Sequence, residues 1–131
     1  MPDPVFLTLS EVIEVHSDQI RRHGGRDGLR DWALLLSALA QPEASFAAEW
    51  LHKDLFDMAG AYAYHICQNH PFIDGNKRAA LACALVFLEV NGIGLLDPKG
   101  LLHDALIRVA SGGMKKTDLS DLFRTLPKDR R

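Results

Sequence analysis

The sequence predicts an all-α fold, a compact bundle of about six helices around one central buried helix. Three observations carry this. Apolar residues recur at helical spacing between clear start and stop signals, residues 79–88 form an unbroken run of ten apolar side chains, and no stretch alternates polar and apolar for longer than a stray hairpin.

The first helix starts at Thr8-Leu9-Ser10-Glu11, which has capping-box spacing; Leu9, Val12, His16 and Ile20 follow at helical intervals, and Gly24-Gly25 stops the run. After a glycine-rich turn over 24–28, Asp31 caps a short helix over 32–40, whose Trp32, Leu35, Leu36 and Leu39 form one stripe before Pro42. Residues 43–52 show no period and read as loop or a short helical piece. The third helix runs from 54 to about 69, with Leu55, Met58, Ala59, Tyr62 and Ile66 on one face, and Pro71 disfavours helical geometry at His70. The fourth, from about 76 to 91 with Gly92 as C-terminal cap, has no polar face over 79–88 and so belongs in the middle of the bundle. Ten apolar residues are too few to span a membrane. Asp97-Pro98 reads as cap and first residue of a fifth helix ending at Gly112-Gly113, and Thr117 as the cap of a sixth that Pro127 terminates.

At 131 residues and 47% hydrophobic content, the chain has the size of a single domain over 1–131, with about 127–131 as a flexible tail. A net charge of −2 gives no overall basic field, despite Arg21-Arg22, Lys115-Lys116 and the basic tail, so direct contact with nucleic acid is not expected. Cys67 and Cys83 lie inside apolar helical stretches, and no signal peptide or long apolar span is visible. Reduced thiols in a cytoplasmic protein without membrane contact are the expectation.

Residues 70–78, His-Pro-Phe-Ile-Asp-Gly-Asn-Lys-Arg, deliver an imidazole, a carboxylate, a glycine, an amide and two cations to the start of the buried helix. The first turn of a helix has unpaired N–H groups and a partial positive charge, so a phosphate there gains hydrogen bonds and field together. Gly75 permits a tight turn and removes a side chain that would keep a phosphate away; Asn76 offers an amide donor, Lys77 a point charge and Arg78 a planar fork. A magnesium ion bridging Asp74 and phosphate would offset the carboxylate's repulsion, which makes Asp74 the expected metal ligand. His70 is suited to accept a proton from an attacking hydroxyl, and Phe72 to anchor the loop. Singly, each has a plainer reading as helix cap or surface charge. His16, His23, His52, His65 and His103 show no metal-ligand spacing and read as surface or packing residues.

The motif closely resembles the signature of the Fic/Doc superfamily, His-x-Phe-x-(Asp/Glu)-(Gly/Ala)-Asn-(Gly/Lys)-Arg. The resemblance extends to His23-Gly24-Gly25, Gly28-Leu29-Arg30-Asp31, the 35–39 stretch with Pro42, and the helix through 87–92. It implies an all-helical fold whose motif loop binds ATP with Mg2+, in a toxin restrained by an antitoxin that lays a helix in a nearby groove. It maps the base to His70, the metal-binding acid to Asp74, and the phosphate contacts to Gly75, Asn76, Lys77 and Arg78.

In the Doc branch, resemblance implies phosphorylation of a hydroxyl on translation elongation factor Tu; in the wider family, it implies AMP transfer. The AMP-transferring pattern has glycine where this chain has Lys77 and a second arginine where it has Leu81. The expectation is therefore transfer of the γ-phosphate, with nucleotidyl transfer and a non-catalytic antitoxin-binding module as the alternatives.

Overall fold

Each of the first three helices starts on a side-chain cap, the first two as expected and the third at Asp54, which precedes the helix. In the computed structural model, which describes residues 3–129, Thr8 and Glu11 exchange both bonds of a capping box at the head of α1 (Leu9–His23). Asp31 accepts from Leu34 N–H at 3.0 Å to begin α2 (Trp32–Ala40), and Asp54 accepts from Asp57 N–H at 2.8 Å to begin α3 (Leu55–Asn69). Then come α4 (Asn76–Val90), α5 (Leu101–Ala110) and α6 (Lys116–Thr125). Among the described residues, strands are confined to two-residue antiparallel pairs, β1 (Ser45–Phe46) with β2 (Glu49–Trp50) and β3 (Gly94–Leu95) with β4 (Lys128–Asp129). The all-α expectation holds.

The centre is shared between two helices. α4 buries Ala79, Ala80, Cys83, Ala84, Phe87 and Leu88 and touches α1, α3 and α5. α3 buries Met58 through Ala63 together with Ile66 and Cys67, and touches α2, α4, α5 and α6. Small residues make this close packing feasible: a Cβ on Gly60 of α3 would overlap Ser120 Oγ of α6 and come within 3.2 Å of Ser120 Cβ. The large fillers are Tyr62, Phe72, Phe87 and Phe123, each worth about 1.5–3 kcal/mol of burial. Burial pushes the thiol of Cys83 up to about 12 and that of Cys67 upward, so both are inert, reduced thiols.

Four local expectations change. Residues 43–52 contain a hairpin, not a helical piece: Ala47 and Ala48 form its two-residue turn with φ of 52° and 66°, the primed-turn geometry that suits strand twist. The fifth helix begins at Leu101, not Pro98. Pro98 and Lys99 form a turn, and Asp97 caps from a distance by accepting from Leu101 and Leu102 N–H at 2.8 and 2.9 Å. Thr117 lies inside α6, not at its cap; Asp118 accepts from Lys115 N–H at 3.1 Å instead. Of the segment 127–131 expected as a flexible tail, Lys128 and Asp129 pair with β3, and residues 130 and 131 lie outside the described residues.

Candidate active site

The motif joins the C-terminus of α3 to the N-terminus of α4, and its backbone is pinned from two sides. His70 caps α3 in the left-handed region, φ 51° and ψ 53°. Phe72 is buried and stacks on His16 of α1, ring centroids 3.8 Å apart and planes 3° from parallel. The His16 ring also meets Asp74 through Nε2, 2.7 Å from the backbone carbonyl, while Nδ1 lies 3.4 Å from the carboxylate of Asp27. On the other flank the 28–31 segment runs alongside the loop: Ile73 N–H donates to Gly28, and Arg30 and Asp31 N–H both donate to the carbonyl of Pro71.

Gly75 turns the chain into α4 with φ 74° and supplies no side-chain cap. Ala79 makes the first bond of the helix, to the Gly75 carbonyl at 2.9 Å, so the N–H groups of Asn76, Lys77 and Arg78 precede the helical ladder. This is an uncapped, partly positive helix start opening on a cleft of about 220 Å³. His70, Ile73 and Asp74 of the loop, Lys77, Arg78 and Leu81 of α4, and His103, Leu106 and Ile107 of α5 line that cleft.

Asp74 is ionised at neutral pH. Its carboxylate accepts from Arg26 N–H at 3.1 Å and Gly75 N–H at 2.8 Å, and these bonds, with weaker help from Arg78 and Arg26 charge, hold its pKa below the ordinary carboxylate value. Gly25 makes the approach of the 24–28 loop feasible, because a Cβ there would stand 2.8 Å from Asp74 Oδ2. Among the described residues no group of three or more metal-ligating side chains exists. Asp74 is the one carboxylate among the described residues that line the cleft, and a single carboxylate suits magnesium, which takes oxygen ligands and is commonly held by one or two carboxylates.

The structure brings every expected site residue to this cleft, with one change of role. Asn76 is buried, and both ends of its amide are engaged by the loop: Oδ1 accepts from Phe72 N–H and Nδ2 donates to Phe72 C=O, each at 2.9 Å. It is a clamp on the loop. Gly75 makes the tight turn expected of it, with φ 74°, and a Cβ there would also press 3.0 Å from Ile20 of α1. Lys77 is exposed at the mouth, and Arg78, half-buried, donates through Nη1 to the Gly24 carbonyl at 3.2 Å.

The Fic/DOC family profile matches residues 6–88, which span α1 to nearly the end of α4 and include the whole motif. The chain belongs to the Fic/DOC family. It is similar to the protein kinase Doc of Escherichia phage P1, 33% identical over 120 residues covering 92% of this chain and 94% of that relative. It is also similar to the toxin Doc of Mycolicibacterium smegmatis, 40% identical over 72 residues covering 55% of each. The wall of the cleft built by α5 lies beyond the Fic/DOC match, at the point where the phage relative still aligns in length.

The backbone role of Arg26 and the place of His103 in the cleft are not visible in the sequence, whereas His16, expected as a surface or packing residue, packs under the motif. His16 sits on the apolar stripe with Val12 and Ile20, and that placement signals burial. Arg26 acts through its backbone N–H, which no side-chain pattern reveals, and His103 reaches the cleft only through the packing of α5.

Proposed function

We propose that this chain is a Doc-type toxin, a phosphotransferase that moves the γ-phosphate of ATP to a protein hydroxyl, with elongation factor Tu as target. The observation that carries the reading is the uncapped start of α4, flanked by an ionised carboxylate and an imidazole in one cleft. The N–H groups of Asn76 to Arg78 would hold phosphate oxygens, with Lys77 and Arg78 adding charge. Magnesium, bound with ATP and held by Asp74, would supply charge neutralisation. His70 would take the proton as the target hydroxyl oxygen bonds to the γ-phosphorus; the bond from that phosphorus to the bridging oxygen breaks, and ADP leaves.

Leu81 supports γ- over α-phosphate transfer. It presents an apolar wall where the AMP-transferring pattern has a second arginine, so no side chain there meets distal phosphates in that sense. The name of the Mycolicibacterium smegmatis relative, toxin Doc, supports a cognate antitoxin that restrains the protein by covering this face, and the reading puts the protein in the cytoplasm. Among the described residues no helix is long and apolar enough to cross a membrane.

The test is growth. Expression without an antitoxin arrests cells, and His70→Ala or Asp74→Asn restores growth while the purified variants keep the wild-type helical spectrum. Arrest by His70→Ala equal to that of the wild type contradicts the base assignment.

A further inference from the structure

His70 ends α3 in a conformation that its own sequence resists. Its φ of 51° places a residue with a full side chain in the left-handed region, where Cβ crowds the following carbonyl. It also precedes Pro71, whose ring favours extended backbone in the residue before it. Relaxation to the extended region would rotate the Cα–Cβ bond and carry the imidazole away from the cleft.

One residue opposes that relaxation. Arg30 binds three consecutive carbonyls around the strained residue: Nη2 donates to Asn69 at 3.1 Å, Nε to His70 at 2.7 Å, and the backbone N–H to Pro71 at 2.7 Å. Carbonyls at a helix C-terminus lack intrahelical partners and carry partial negative charge. A guanidinium edge presents two parallel donors to such a pair, which an ammonium cannot do. Arg30 is itself fixed, because its neighbour Asp31 caps α2 and also bonds Pro71, and Asn69 Nδ2 donates to Leu34 of α2 at 2.9 Å.

We infer that Arg30 is the positioning residue of the general base, holding His70 in its left-handed turn so that the imidazole faces the cleft. This rests on the reading of His70 as the base. Arg30 does not line the cleft, so its effect falls on proton transfer and leaves the phosphate site at α4 untouched. A helix-capping role alone would change stability and spare that distinction.

The experiment uses the full chain with magnesium, ATP and elongation factor Tu, and compares wild type, His70→Ala, Arg30→Ala and Arg30→Lys. Expected for Arg30→Ala is a fall in kcat of roughly tenfold to a hundredfold, the scale of a small misplacement of a catalytic group. ATP affinity stays within about threefold. Because Arg30 is exposed, added guanidinium ion at millimolar concentration recovers part of the rate in Arg30→Ala, and Arg30→Lys recovers part without it. An inactive His70→Ala beside a fully active Arg30→Ala overturns the inference alone. So does a fall in rate that tracks an equal fall in ATP affinity and melting temperature, with no rescue by guanidinium or lysine. A fully active His70→Ala overturns the inference together with the base assignment on which it rests.

Discussion

Asn76 and Lys77 are neighbours whose side chains work on different links of the chain from sequence to function. The Asn76 amide satisfies two buried backbone groups of Phe72, so Asn76→Ala leaves both unpaired, at about 1–3 kcal/mol for an unsatisfied buried polar group. Thermal denaturation of that variant shows a lower midpoint, and an unchanged midpoint contradicts the clamp. Lys77 is exposed, so its removal affects chemistry more than folding. Loss of one positioned cation corresponds to roughly a hundredfold in rate. Lys77→Gly and Lys77→Met both show that fall in phosphorylation; the methionine variant excludes the backbone entropy that glycine adds to a helix. The motif's location was readable because all its chemistry lies within residues 70–78. The role of Asn76 was not, since a phosphate donor and a loop clamp share one side chain and differ only in which way it folds.

At the scale of elements, start signals were legible where the cap is the residue next to the helix, as at Thr8 and Asp31. They failed where the capping side chain acts at a distance, as Asp97 does on α5. The hairpin at 45–50 escaped notice because its turn is Ala47-Ala48, without the asparagine or glycine that usually announces positive φ. The α3–α6 contact depends on a position whose meaning appears only in three dimensions. In isolation Gly60→Ala would favour the helix by about 1 kcal/mol. Here the added Cβ overlaps Ser120 Oγ, and overpacking of this kind costs about 1–3 kcal/mol. The packing term wins, because relief turns Ser120 Oγ off its 3.1 Å bond to the Lys116 carbonyl and presses on Ser120 Cβ at 3.2 Å. Gly60→Ala therefore lowers the melting temperature, and adding Ser120→Ala recovers part of the loss. A single variant more stable than the wild type would show that α6 yields without cost.

Across the whole molecule, a second cluster of titratable groups stands apart from the cleft and sets how the fold responds to acid. Lys116 Nζ lies 3.2 Å from His52 Nε2 and 3.1 Å from His65 Nε2, joining the start of α6 to α3 and the segment before it. Burial first, and then the charge of Lys116, pushes the His65 pKa down to about 4 and lowers that of His52, which Asp57 partly opposes. The unfolded chain therefore takes up protons at these imidazoles before the native state does, and stability falls as pH drops from about 6.5 toward 4. Asp74 and Glu11, with pKa values lowered below those of ordinary carboxylates, lose their contributions only at more acid pH. Melting temperature measured from pH 7 to 4.5 falls in the wild type and falls less in His65→Gln; parallel curves contradict this assignment. Isotope position decides whether the cleft transfers the γ-phosphate. Elongation factor Tu is incubated with the protein, magnesium and ATP labelled at either the α- or the γ-phosphate. Label is expected on the factor from γ-labelled ATP alone and is absent with His70→Ala; label from α-labelled ATP contradicts γ-phosphate transfer and assigns nucleotidyl transfer instead.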